Sequence, residues 1–211
     1  MGTQERRARE RQERRGQILT AARQLFWAQG FSRTTMPEIA RAAELAPGTL
    51  YLYFPSKDAL YIELLIDGYA KLLSRLDAAA HRAGSPERQA GALVEAFLHF
   101  AEAEPQYFDI IFFVLQREMG GPHQTLNRDQ LERLRAAEEA CHAVARSVLR
   151  QAPGPDGDAA LQVTVEAVWS MLAGVVFFWR RDGGRAFHTV TRRARDLILA
   201  ALFGSREGAA R

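Results

Sequence analysis

Residues 34–57 read TTMPEIARAAELAPGTLYLYFPSK, and no other stretch constrains the fold as much. Thr35 is placed to N-cap a helix, because its hydroxyl can accept from an otherwise orphaned backbone N–H. Glu38, three residues on, completes a capping box, and Pro37 stands in the first turn, where a missing N–H costs nothing. Met36, Ile39, Ala40 and Ala43 recur at helical spacing and give one apolar face. Glu44, Leu45 and Ala46 make a turn. A second helix starts near Pro47 and runs through Tyr53, with Leu50 and Phe54 inward at i and i+4. Ser56 then caps a further helix, with Lys57 and Asp58 in its first turn. Two short helices joined tightly in this way form a helix-turn-helix, a device that lays its second helix in the major groove of DNA.

The rest of the chain shows no internal repeat and no useful strand-like alternation. Glycine and proline cut it into helices instead. Residues 1–16 form a polar arm in which Arg6, Arg7, Arg9, Arg11, Arg14 and Arg15 stand among Glu5, Glu10 and Glu13. Helix one is expected near 17–29, with Ile18, Ala22, Leu25 and Phe26 inward, and ends at Gly30. A fourth helix follows Ser56 to about residue 82. Ser85, Pro86 and Glu87 supply an N-cap, a proline at N1 and an acid for the fifth helix, near 86–102. Pro105 opens the sixth, which reaches Gly120, Gly121 and Pro122. The seventh covers about 125–151, the eighth 158–181 and the ninth 186–203. The expected fold is therefore all-α.

The pattern Ile18-Leu19-x-Ala21-Ala22-x-x-Leu25-Phe26-x-x-x-Gly30-Phe31-x-x-Thr34-Thr35 resembles the opening of a TetR-family transcriptional regulator. So does its continuation through Ile39-Ala40, Ala42 or Ala43, Gly48-Thr49-Leu50-Tyr51-x-Tyr53-Phe54 and Ser56-Lys57. The match covers about residues 13–73. The resemblance implies about nine helices. A basic flexible arm spans residues 1–12 and a three-helix helix-turn-helix DNA-binding domain residues 13–73. A helical ligand-binding and dimerisation domain spans 74–211. It also implies a homodimer on a palindromic operator, released as a repressor when a small-molecule effector binds.

Charge distribution fits that reading. Residues 1–60 carry nine arginines and one lysine against six acids, whereas residues 61–211 carry 18 basic and 19 acidic side chains. The positive excess lies where counterion release from DNA needs it. Pro47, Gly48 and Thr49 make a slim helix start, suited to close approach to base edges. Tyr53 can give its phenol to a phosphate, as can Thr34 or Thr35 at a helix N-terminus, and Lys57 is a point charge for the backbone. Resemblance supports each role at the matching position. Leu50, Tyr51 and Phe54 are assigned to holding the recognition helix. Two positions depart from the family pattern. Ala46 stands before Pro47 and Leu52 between the tyrosines, where relatives often carry polar residues. Readout is therefore expected to lean on methyl contacts, backbone donors and DNA shape. In the arm, Arg14 and Arg15 are read as DNA contacts. Arg6 and Arg7 stay open between minor-groove entry and a solvated extension of helix one with Glu–Arg pairs at helical spacing.

The C-terminal part is apolar and aromatic. Such stripes are ordinarily core, but family resemblance implies a pocket for an apolar or aromatic ligand, fatty acyl among them. Phe97, Phe100, Tyr107, Phe108, Phe112, Met119, Trp169 and Phe177 are its candidate lining. Helix eight is apolar on more than one face, so it must bury both sides. Val168, Leu172, Val175 and Val176, with Ile198 and Leu202 of helix nine, are the candidate dimer interface. Arg192, Arg193 and Arg195 are read as the solvated face of helix nine.

The alternatives are a ligand-independent DNA-binding protein and an enzyme built on a helical bundle. Against an enzyme, no G-x-S-x-G, P-loop or dinucleotide fingerprint appears. Among the histidines (His81, His99, His123, His142, His188), only Glu138 and His142 share a face at i, i+4, which is not a metal site. No catalytic residue, metal or cofactor is expected. Cys141 alone excludes an intramolecular disulfide. The arginine-rich start does not read as a signal peptide. The apolar run 168–179 is too short for a bilayer. A cytoplasmic protein without a membrane partner is expected.

Overall fold

The computed structural model describes residues 3–82, 84–114, 128–153, 157–180 and 184–204, and within them every regular element is helical. Among the described residues there are nine α-helices: α1 (Thr3–Gln29), α2 (Met36–Ala42), α3 (Pro47–Tyr53), α4 (Lys57–Ala80), α5 (Pro86–Ala103), α6 (Pro105–Asp109), α7 (Arg128–Leu149), α8 (Asp158–Trp179) and α9 (Gly184–Phe203). A π-helical turn, Ile110–Val114, continues α6. The expected all-α class and helix order stand. Part of the sixth helix, with Gln116, Arg117 and Met119, lies outside the described residues, as do His123 and the Phe113 side chain.

The chain divides into two compact units. The first comprises Met1–Gly68 and Gln106–Arg135. Its core is built from Ile18, Ala22 and Phe26 of α1, Ile39 of α2, Leu50 of α3, Phe54, and Leu60, Tyr61 and Leu64 of α4, all essentially inaccessible. Phe31 closes the α1 end, with ring centroids 5.2 Å from Phe26 and 5.1 Å from Tyr61. The sequence division at residue 73 is linear, whereas this unit also takes in α6. Three polar contacts account for that. The Tyr61 hydroxyl donates to the Ile110 carbonyl at 2.6 Å, the Tyr107 hydroxyl donates to the Asp67 carboxylate, and the Arg23 guanidinium sits 4.6 Å from the Tyr107 ring centroid. Gly68 permits the approach, since a Cβ there would stand 3.0 Å from Ile111 Cδ1 and 3.1 Å from Tyr107 Cδ1.

The expected flexible arm is instead continuous helix. α1 begins at Thr3, fourteen residues before the helix read from the apolar pattern. Residues 3–16 have no apolar stripe to reveal them, but Arg and Glu are good helix formers and pair at i, i+4, as Arg6 and Glu10 do at 3.5 Å.

The second unit comprises Tyr69–Pro105 and Ala136–Arg211. Ser85 caps α5 by accepting from the Arg88 N–H at 3.3 Å. Within this unit α8 buries Leu161, Val165, Leu172 and Val176, and α9 buries Phe187, Ile198 and Leu199. Arg195 is not wholly solvated as expected: it pairs with Glu95 of α5 at 3.0 Å. Cys141 is buried and donates to the Tyr69 carbonyl at 3.5 Å. Burial first, then the Glu138 charge, pushes its thiol up to about 12, so it stays protonated and inert.

α8 is longer than the apolar run suggested. By length and composition alone it is the one helix among the described residues that could cross a membrane, with a mean hydropathy of 1.7 over its most apolar window. One face packs in its own unit through Leu161, Val165, Leu172 and Val176, and the other, with Glu166, is exposed.

Candidate nucleic-acid interface and effector cavity

The helix-turn-helix is assembled by local chemistry. Thr35 accepts from the Glu38 N–H at 3.4 Å, while the Glu38 carboxylate accepts from the Thr35 N–H at 2.8 Å. The Thr35 hydroxyl and its backbone N–H hold the Glu38 carboxyl below the usual carboxylate range. At the other end of α2, the Leu45 N–H donates to the Ala40 carbonyl at 2.8 Å and the Glu44 N–H to the Arg41 carbonyl at 3.1 Å. This is the Schellman pattern, with Glu44 at φ 55° in the left-handed position that glycine ordinarily fills. The turn aims α3 outward. Leu50 and Phe54 are buried at 0% and 1% exposure and hold it down.

The exposed side of α3 carries Pro47, Gly48, Tyr51 and Leu52, with Thr49 and Tyr53 half-buried. Ala46 stands at its N-cap and gives no side-chain hydrogen bond, which leaves the helix start open to an external acceptor. A Cβ on Gly48 would meet nothing within 4 Å. Among the described residues, none crowds a side chain there. Tyr51, at 49% exposure, is not the core anchor expected from sequence, and Leu52 is more exposed still. The two lie on the outer arc of a helix of two turns, where the inward positions 50 and 54 leave them no core to enter.

Three residues assigned to DNA are otherwise engaged. Thr34 is fully buried and its hydroxyl donates to the Gly30 carbonyl at 2.7 Å. The Lys57 ammonium donates to the carbonyls of Phe31 at 2.7 Å, Thr34 at 2.9 Å and Ser32 at 3.4 Å. It also lies 4.3 Å from the Phe31 ring centroid. Its three protons thus tie down the loop between α1 and α2. Arg15 pairs with Glu63 at 2.6 Å and stacks 4.5 Å from the Phe54 ring centroid. Glu63 takes Arg133 as well, at 2.8 Å. Burial works to raise the Glu63 carboxyl, but the hydrogen bonds from Arg133 and Arg15 outweigh it and hold the group below its ordinary value. Sequence spacing could not show the pairings of Lys57, Arg15 and Glu63, because their partners lie 23 to 70 residues away in the chain, while the Thr34 bond to Gly30 is local. Arg14 and Thr35 do remain exposed.

The second unit holds a cavity of about 40 Å³. Leu76 of α4, Leu93, Val94 and Phe97 of α5, Leu149 of α7, Val165, Val168, Trp169 and Leu172 of α8, and Ile198 and Leu202 of α9 line it, with only alanines besides. Trp169 anchors one wall, edge-on to Phe97 and to His142, each at 5.0 Å between centroids. Of the expected lining only Phe97 and Trp169 are here. Phe100 is buried elsewhere, Phe177 is 44% exposed, and Tyr107, Phe108 and Phe112 belong to the first unit. The expected dimer residues divide between buried and half-buried positions. Leu172 and Ile198 are buried in the cavity wall and Val176 is fully covered by its own chain, whereas Val168 and Leu202 line the cavity and stay half-buried. Val175 is half-buried. Periodicity marks α8 as apolar on two sides without saying which side looks inward. The outer side carries Val163, Met171, Phe177 and Phe178, together with Ala160, Ala167 and Ser170.

A short recognition helix held out by a capped partner, with an all-helical unit following, defines a helix-turn-helix DNA-binding regulator. Residues 18–64 match the family model described as bacterial regulatory proteins, tetR family. Over 187 residues the chain is 31% identical to the HTH-type transcriptional activator FasR of Mycolicibacterium smegmatis, covering 78% of this chain and 85% of that one. Among solved structures, the TetR-family regulator PfmR of Thermus thermophilus superposes with a TM-score of 0.70 at 23% identity, covering 90% of this chain and 99% of that one. FadR of Bacillus subtilis, solved in complex with stearoyl-CoA, superposes with a TM-score of 0.70 at 14% identity, covering 87% and 97%. The chain belongs to the TetR family of transcriptional regulators.

Proposed function

We propose that this protein is a cytoplasmic homodimer that binds a palindromic operator through α3 and changes its hold on that operator when an apolar ligand, of the fatty acyl kind, enters the second unit. The observation that carries the DNA half is the exposed start of α3, slim at Pro47 and Gly48 and uncapped at Ala46. Thr49, Tyr51 and Tyr53 are the side chains offered to base edges and phosphates, with Arg14 and Thr35 beside them. The wholly apolar lining of the cavity supports a hydrocarbon ligand. The complex of FadR with stearoyl-CoA supports the same class. A cavity of about 40 Å³ is far below the roughly 300 Å³ or more that a bound organic ligand occupies, so entry must part the helices. That parting is the means of regulation. α4 supplies Leu60 and Tyr61 to the first unit and Leu76 to the cavity wall, so a ligand that spreads the wall shifts the helix next to α3. The ligand must bind the spread state more tightly, or the equilibrium does not move.

Dimerisation is assigned to the outer face of α8. Ala160, Val163, Ala167, Ser170, Gly174 and Phe177 recur at alternating steps of three and four, a seam narrow enough for a partner helix to come close. A two-fold pair then sets two α3 helices about 34–36 Å apart, or a multiple of one turn, to meet a palindrome. Repression is the reading for which ligand-driven release is the natural switch. Activation is the second reading, supported by the name of FasR.

Selection of duplexes from a random pool by the purified protein tests the proposal, followed by titration with long-chain acyl thioesters. The expected result is a palindrome whose complex dissociates as thioester is added. Enrichment of bulk DNA without a shared sequence overturns the operator reading, and a palindrome complex indifferent to acyl compounds overturns the ligand reading. Placing the palindrome upstream of a reporter separates repression from activation.

A further inference from the structure

The N-terminal part of α1 carries a row of arginines that the recognition helix alone does not explain. Arg7, Arg11 and Arg14 recur at i, i+4 and i+7, which puts them on one helical face. That face borders an open cleft of about 660 Å³ whose other wall is Leu52 and Tyr53 at the end of α3. The Arg11 guanidinium lies 5.9 Å from the Tyr53 ring centroid, so the row is continuous with the exposed side of α3. The neighbouring charge is handled differently. Arg6 is neutralised by Glu10 at 3.5 Å, whereas among the described residues Arg7, Arg11 and Arg14 take part in no ion pair. Arg14 is held in place by donating to Gln17 at 3.0 Å. The cleft therefore presents three cations against one acid, Glu10, which is already paired.

The form of the extension decides what such a row can hold. An extended arm could enter a minor groove about 6 Å wide, but a helix with its side chains is about 10–12 Å across and cannot. Seven residues of helix span about 10 Å, which matches the axial rise of about three nucleotides at 3.4 Å each measured along the duplex axis, within reach of three long arginine side chains. We infer that Arg7, Arg11 and Arg14 form a rail that grips the sugar–phosphate backbone of duplex DNA flanking the α3 site, from outside the grooves. The inference rests on the DNA-binding reading above and extends its footprint. A backbone rail adds affinity without sequence information, because phosphates look alike at every step. It also makes binding more sensitive to salt, since each neutralised phosphate releases condensed counterions.

The test is the salt dependence of affinity, measured with the full chain on a duplex from the random-pool selection and on an unrelated duplex. Wild type is compared with the triple variant Arg7→Gln, Arg11→Gln, Arg14→Gln and with Arg6→Gln as control. Glutamine keeps the helix, and the residues are exposed, so helicity by circular dichroism should be unchanged. The expected result is a slope of log K against log salt shallower by about 2–3 per bound protomer, on both duplexes alike. Arg6→Gln should change it by less than half a unit, and exchanging A·T for G·C pairs in the flanks should not alter the loss. A slope unchanged in the triple variant overturns the rail. So does a loss that appears only with A·T flanks, since that means groove entry. If wild type binds no duplex at all, the DNA-binding reading falls and the rail with it; wild-type binding with an unchanged slope removes the rail alone.

Discussion

Glu44 holds a φ of 55° at the end of α2, a conformation that costs a non-glycine residue about 1–2 kcal/mol. Part of that is regained because glycine loses more chain entropy on folding. Glu44→Gly should therefore raise stability by up to about 1 kcal/mol in urea unfolding. No change or a loss would show that the glutamate side chain stabilises the turn. Lys57 makes the opposite case. Its ammonium is fully engaged by three carbonyls, so Lys57→Met should cost about 1.5–3 kcal/mol of stability while leaving the salt dependence of DNA affinity unaltered. A shallower salt slope with stability intact would return Lys57 to the phosphate role read from sequence. Gly48 separates folding from function. The space beside it is empty, so Gly48→Ala should keep or slightly raise the melting temperature yet weaken operator affinity at least tenfold, read by anisotropy.

At the scale of elements, Glu63 of α4 joins α1 through Arg15 and α7 through Arg133. Its folded-state carboxyl is held below the ordinary glutamate range, so its contribution to stability is present above the unfolded value near pH 4.3 and fades as pH falls through the folded one. Glu63→Gln should cost about 1–2 kcal/mol near pH 7, discounted because Arg133 is half exposed to water, and the gap from wild type should close below about pH 4. A gap constant across that range would mean the carboxylate charge does not matter. The same elements show where sequence reading succeeds. The capping box of Thr35 and Glu38 and the inward pair Leu50 and Phe54 were legible, because caps and apolar spacing are local. The helical start of α1 was not, since a chain of Arg and Glu has no apolar stripe. Nor were the engagements of Lys57 and Arg15, which depend on partners brought close only by folding.

At the scale of the whole molecule, two apolar faces of α8 compete for one description. The inner face lines the cavity with Val165, Val168, Trp169 and Leu172, and the outer one, exposed in the single chain, is the face proposed for a second copy. Sequence showed that both faces exist and put Trp169 on the inward one, but it could not divide the other apolar residues between them. Ala167→Glu adds a charge to the outer seam and should shift the protein toward monomer in sedimentation at micromolar concentration without lowering helicity. An unchanged dimer would place the interface elsewhere. The central claim is that α3 reads sequence. It is tested most directly by the ratio of affinities for the selected palindrome and a scrambled duplex, measured for wild type and for Thr49→Ala with Tyr51→Ala. The ratio should collapse at least tenfold in the double variant, with the melting temperature nearly unchanged, since Tyr51 is half exposed. A ratio that survives both substitutions would contradict it.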